Sequence, residues 1–309
     1  MNPGILTPPT QFATMPRGLL GRPTPVPMPD FRPAHPDAIN WLDRVRRNGG
    51  SASQQTILAV SQFCEDIEAA GLRRRFLRVN LFCGDQLAAA LTPLYLSGST
   101  SPAAIGNQTD TNNGPFVQAD YIERGALGGL QGNGATKFLN TGLLQSQITS
   151  LNDSHASISG TLLETSGDKM ALGVYLVSGP DGPWIFTVDT YSAYVSGRTV
   201  RIGTYASAGV PSITNPGSSE QHLIGSRTSS TFLGLYRVGR ESASNTAAVN
   251  PQALAQSLFV FAANSGTGSA ANHTAARLRM YSVGLGLTQN QAMAFSSAVI
   301  AFNTALERV

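Results

Sequence analysis

Apolar positions recur at steps of three and four near the start and at the very end of the chain, and alternate in short runs between. Residues 37–92 hold no proline. Asp37 follows Pro36, a helix start, and Ile39, Leu42, Val45 and Arg46 follow at helical spacing until Gly49-Gly50 stops the helix. Ser51-x-x-Gln54 has the form of a capping box for a second helix. Its stripe is Ile57, Val60, Cys64, Ile67 and Gly71, widened by Leu58 and Phe63. A basic turn, LRRRFLR (72–78), leads through VNLFCG to a third helix over Leu87 and Leu91, closed by Pro93.

Residues 96–119 read as turns, rich in Gly, Ser, Thr and Asn. Beyond residue 155 the period becomes two. HASISGTLLET, DKMALGVYLVSG, WIFTVDTY, YVSGRTVRIGTYA, HLIGSRT, TFLGLYRVG, SLFVFAAN and ARLRMYSVGL are separated by Gly, Pro, Asn and Ser. Short strands at this spacing predict a sandwich or jelly roll. The chain closes in a helix capped by Thr288-x-x-Gln291, with Ala292, Phe295, Val299, Phe302 and Leu306 as its packing stripe. The expected fold is mainly β: a jelly-roll, concanavalin A-like sandwich (120–309) joined to a small helical module (37–95) by a loop-rich linker (96–119), and preceded by a Pro-rich arm (1–36).

That arm carries ten of the 18 prolines, which exclude helix and central strand. It also carries apolar side chains that a free linker lacks. Phe12, Leu19, Leu20 and Phe31 are its candidate partner-binding residues, since an extended segment buries side chains only against another surface.

Composition narrows the picture. Of 309 residues 13% are charged and 7% aromatic, with 32 Gly, which excludes a coiled coil or a charged disordered chain. The net charge of +3 implies no nucleic-acid partner. LFVFAA (258–263) is far too short to span a bilayer, so no membrane insertion is expected. Cys64 and Cys83 stand outside any metal-ligand pattern and read as buried thiols, a bridge between them being the alternative.

Motifs that carry reactions are missing: there is no G-x-S-x-G elbow, Walker loop or H-E-x-x-H. The four histidines are scattered, each read as a surface or strand residue. Glycoside hydrolysis needs two convergent carboxylates. Glu164 and Asp168 straddle a turn and Asp181 and Asp189 flank a strand, with no acidic run among them. No catalytic residue, metal or cofactor is therefore assigned. Asn107, Asp110, Asn112 and Asn113 have the oxygens to hold Ca²⁺, but such residues make Asx turns by themselves. Tyr191 and Tyr194, near a turn, are the candidate platforms for a saccharide ring.

Residues 39–95, INWLDRVRRNGGSASQQTILAVSQFCEDIEAAGLRRRFLRVNLFCGDQLAAALTPLY, resemble a helical segment that recurs in structural proteins of tailed bacteriophages. LQGNGATKFLNTGL (130–143) and RLRMYSVGLGLTQNQAMAFSSAVIAFNTAL (277–306) resemble the edge strand and the closing strand and helix of concanavalin A-like (laminin-G-like) jelly rolls. The resemblance implies a non-enzymatic virion component, a capsid decoration or tail fibre. It would be made in the host cytoplasm without a signal peptide, homo-oligomeric, and held to other virion proteins by arm and helical module. A host-surface carbohydrate binder and a polysaccharide depolymerase are the alternatives.

Overall fold

The computed structural model describes residues 34–98, 104–148, 152–161, 169–175, 184–191, 199–203, 212–214, 221–246, 254–266 and 268–308. Residues 34–309 form one compact unit. The jelly-roll-like sandwich expected from the alternating runs is present, and each of the eight runs contributes a strand.

Among the described residues the first sheet runs in the order Arg240–Asn245, Phe232–Arg237, Gln221–Ser229, Ser154–Thr161, Arg277–Gly284, Gly129–Gln131, Tyr121–Ile122. Strand Phe76–Asn80 joins it by pairing antiparallel with the second half of Arg277–Gly284. The second sheet runs Ser212–Thr214, Thr199–Gly203, Trp184–Tyr191, Lys169–Tyr175, Ser257–Val260, Phe138–Leu144, Thr111–Asn113. Two of these strands, Thr111–Asn113 and Phe76–Asn80, lie in stretches read from sequence as turn and linker. Three residues, or five with Arg and Asn among them, carry too little periodicity to stand out.

Period-two alternation puts Ala156, Ile158, Leu223, Leu235, Leu278 and Val283 between the two sheets, with Leu139, Leu172 and Val260 opposite. The other face of the first sheet offers Ile224, Tyr236 and Met280 to the helices. Phe76–Asn80 is buried throughout: Leu77 enters the inter-sheet core, Phe76 and Val79 the helix-facing one. The helical residues 36–69 and the strands thus share a core.

Helix α1 (Pro36–Arg47) starts on Pro36, with His35 Nδ1 accepting from the Asp37 N–H. Gly49, at φ +75°, lets the Gly50 N–H reach back to the Val45 carbonyl and close it. Trp41 donates its Nε1 hydrogen to the Thr92 carbonyl at 3.1 Å. That contact turns Ala38, Trp41 and Val45 inward and leaves Ile39 45% exposed, so the buried stripe is shifted from the expected one. Helix α2 (Gln54–Ala69) buries Val60, Phe63, Cys64 and Ile67, while Leu58 faces outward, 46% exposed. Its cap is Ser53, whose Oγ accepts from the Thr56 N–H, not Ser51. Ser51 instead ties its own hydroxyl to Asp85 at 2.7 Å and its N–H to Gln86. Helix α3 (Leu87–Ala90) is a single turn.

Helix α4 (Gln289–Ala305) has the Thr288–Gln291 capping box, and Ala292, Phe295, Val299, Phe302 and Leu306 are all buried. Phe302 meets Phe63 edge-on at 6.0 Å, which locks α4 to α2. Cys64 and Cys83 are both free and buried. Burial pushes the Cys64 thiol up to about 12 and the Cys83 thiol up as well, so neither is a ready nucleophile. No described helix is long and apolar enough to cross a membrane.

Candidate functional site

The loop at 107–113 is a structural device, which corrects the Ca²⁺ alternative. Asp110 is fully buried. Its Oδ1 accepts from Arg78 Nη2 at 2.7 Å, its Oδ2 from Asn80 Nδ2 at 2.8 Å, and both from the Tyr281 hydroxyl. Arg78 also donates its Nε hydrogen to Asp110 Oδ1 and the Tyr281 hydroxyl, and its Nη1 and Nη2 hydrogens to the carbonyls of Ile105 and Asn107. A buried pair of this kind is tolerable because each polar atom is met. Asn107 and Asn112 make local bonds to Thr111 and to Phe116. Among the described residues no group of His, Cys, Asp and Glu could hold a metal ion.

His155 and His222 stand on strands, as expected, and both are buried under α4 against the Phe295 ring. His222 packs edge-on against Phe295 at 4.8 Å. His155 Nδ1 lies 2.6 Å from the Leu285 carbonyl, which can only accept, so Nε2 is the nitrogen that accepts from Ser282 Oγ. Desolvation lowers His155 to about 4 and His222 to about 3. Both are neutral packing residues at neutral pH.

Of the other sequence candidates, Phe12, Leu19, Leu20, Phe31, Tyr194, Glu164, Asp168 and Asp181 lie outside the described residues. Tyr191 ends the strand Trp184–Tyr191, paired with Thr199.

Strand register sorts the second sheet into rows. Ile202, Val188, Leu172, Val260 and Leu139 form one row across five strands, and its last three members are core. The adjacent row therefore belongs to the opposite face: Gly203, Thr187, Gly173, Phe259, Asn140, Thr111. Two residues further along come Ser212, Arg201 and Asp189, and then Thr214, Thr199 and Tyr191. At one end Phe138 packs tilted against Phe259 at 4.7 Å and meets His273 edge-on at 5.9 Å. Phe138 and His273 are partly exposed. Burial, then the Lys169 charge, lowers the pKa of His273. Register thus sets Asn140, Thr187, Asp189 and Arg201 on the face that carries Phe138, with Phe259 buried beside it. Asp189 is the sole carboxylate in these rows among the described residues.

No protein-family model matches the chain, and no curated protein matches it. Solved structures similar to it include domain 4 of AbnA, a GH43 extracellular arabinanase from Geobacillus stearothermophilus, in complex with arabinotriose. That match has 15% identity and a TM-score of 0.48, over 72% of this chain and 98% of that one. A mutant of Trypanosoma rangeli sialidase displaying trans-sialidase activity matches at 9% identity and TM-score 0.46, over 79% of this chain and 39% of that one. The Ruminococcus gnavus IT-sialidase CBM40 matches at 10% identity and TM-score 0.36, over 48% of this chain and 85% of that one.

Proposed function

We propose that the protein is a carbohydrate-binding sandwich that holds a surface polysaccharide on the outer face of its second sheet, without cleaving it. The observation behind this reading is the register row Gly203–Thr187–Gly173–Phe259–Asn140–Thr111, flanked by Asp189, Arg201 and Tyr191. Residues without bulk let a flat, extended ligand approach the backbone, amide and hydroxyl groups match sugar hydroxyls, and aromatic rings take the C–H face of a sugar. Among the described residues these rows set no second carboxylate beside Asp189 to complete an acid–base or acid–nucleophile pair. A glycan array probed with the full chain should give retained polysaccharides. Tyr191→Ala and Asp189→Ala should each weaken the retention, and no reducing ends should appear on incubation. Absence of any retained glycan defeats the reading, and release of oligosaccharide converts it to a depolymerase.

A second reading, a phage-particle component joined to other virion proteins, is favoured by the Pro-rich arm with its apolar Phe12, Leu19, Leu20 and Phe31. The two readings combine in an adhesion protein anchored by its arm. Stoichiometry in purified particles tests this: hundreds of copies indicate a capsid role, a few a tail role, and none rejects it.

A further inference from the structure

On elements outside the sheet face, helix α1 and the stretches 94–97 and 104–108 border a recess of about 280 Å³, lined by Asp37, Asn40, Arg44, Arg47, Arg73 and Gln108 among others. A second recess of about 280 Å³ adjoins it and shares Arg44, Arg47 and Gln108. Three guanidinium groups meet one carboxylate here, and that carboxylate is already used. Arg73 donates its Nε hydrogen to Asp37 Oδ2 at 2.7 Å, and its guanidinium lies over the Tyr95 ring at 3.9 Å.

Arg44 and Arg47 have no carboxylate within ion-pair distance among the described residues, apart from which their hydrogen bonding is incomplete. Arg44 gives its terminal nitrogens to the carbonyls of Asn40, Pro93 and Leu94. Its Nε is shielded from solvent and has no partner. Arg47 gives Nε to the Asp43 carbonyl at 3.2 Å and is otherwise exposed. Burial first, then the Arg47 charge, holds Arg44 down to about 10. Arg78 and Arg73 add to that lowering and Asp37 opposes it. Two like charges are thus pinned at one recess by backbone carbonyls, an arrangement that an anion relieves.

We propose that this recess binds the anionic oxygen group, carboxylate or phosphate, of a small polar ligand. A planar guanidinium fork matches either group with two parallel hydrogen bonds, and these are among the stronger ones proteins make. The exposed amides of Asn40 and Gln108 stand beside it to take hydroxyls. The volume sits at the lower end of ligand pockets, which suits a single sugar acid or a phosphate rather than a length of polyanion.

The test is calorimetric titration of the full chain, at physiological ionic strength, with galacturonate, galactose and inorganic phosphate. Galacturonate should bind and galactose should not. Arg47→Ala, a change at an exposed residue, should weaken binding by about tenfold or more. Arg46→Ala should leave it unchanged, because Arg46 lies on the same helix outside the recess, beside Asp43. Phosphate binding without galacturonate binding keeps the site and assigns its ligand to phosphates. Binding of neither anion overturns the proposal, as does equal loss in the two variants or equal binding of galactose. Tyr191→Ala and Asp189→Ala should leave this titration untouched, which separates its outcome from that of the sheet face.

Discussion

Asp110 is the residue on which the junction between strand Phe76–Asn80 and the sandwich turns. It takes hydrogens from Arg78, Asn80 and Tyr281, which belong to that strand and to Arg277–Gly284. Asp110→Asn keeps the shape but leaves Arg78 buried without a counter-charge. The expected loss in urea unfolding is about 3–5 kcal/mol. The histidine pair makes a pH prediction. In the fold both pKa values lie below the ordinary 6.5, so folding favours the neutral rings. Their contribution is complete above about pH 6.5 and drains as pH falls to about 4 for His155 and about 3 for His222. Over that window each costs up to ~1.4 kcal/mol per pH unit. Comparing the chain with His222→Gln should show a shallower loss in the variant; equal slopes would mean His222 is protonated in the fold. Sequence spacing carries no sign of this pair, because residues 67 positions apart come under one helix, both against Phe295, only through the antiparallel register that sets His222 opposite Ser159 and Ser226 opposite His155.

At the scale of elements, the hairpin between Phe232–Arg237 and Arg240–Asn245 turns on Val238 and Gly239, at φ +51° and +74°. Left-handed backbone at both positions is the demand of a type I′ turn, which Asn meets and a β-branched residue does not. Val238 is 43% exposed, so little packing opposes a change. Val238→Asn should raise stability by about 1 kcal/mol in thermal unfolding, and a drop would show that the valine is held by contact. The closing helix gives the opposite case. Phe302 lies between Phe63 and the Arg308 guanidinium, and Phe302→Ala should cost ~3–5 kcal/mol by denaturant titration. A loss below ~1 kcal/mol would mean the stripe is not core. This helix was legible in sequence since its cap and a five-member stripe agree. Helix α1 was legible in extent but not in orientation. Its apolar residues spread around the helix, and the bond from Trp41 to Thr92, 51 positions away, chose the buried face.

At the scale of the molecule, residues 120–309 should not fold alone. Without residues 34–119 the outer edge of Arg277–Gly284 loses Phe76–Asn80, and Phe295 and Phe302 lose Phe63 and Phe76. A 34–309 chain should melt cooperatively by circular dichroism, and a 120–309 chain should show no cooperative transition. The alternation of HASIS predicted a strand, and Ser154–Thr161 is one. Its polar face is dry, however, because α2 and α4 cover it and its hydroxyls bond within the layer: Ser157 to Ser282, Ser282 to His155, Ser159 to Asn303. Periodicity by itself marked the eight longer strand runs and the helices α1, α2 and α4, since side-chain direction follows from local backbone geometry, and it missed Phe76–Asn80 and Thr111–Asn113. Composition and proline placement set the arm apart in the sequence, and it lies outside the described residues. Only the tertiary structure decided what each face meets: a helix rather than water over the first sheet, Arg78 rather than Ca²⁺ at Asp110, and at one recess two guanidinium groups held by backbone carbonyls with no carboxylate partner among the described residues. Those outcomes depend on contacts between residues tens to hundreds of positions apart, and no local pattern encodes them.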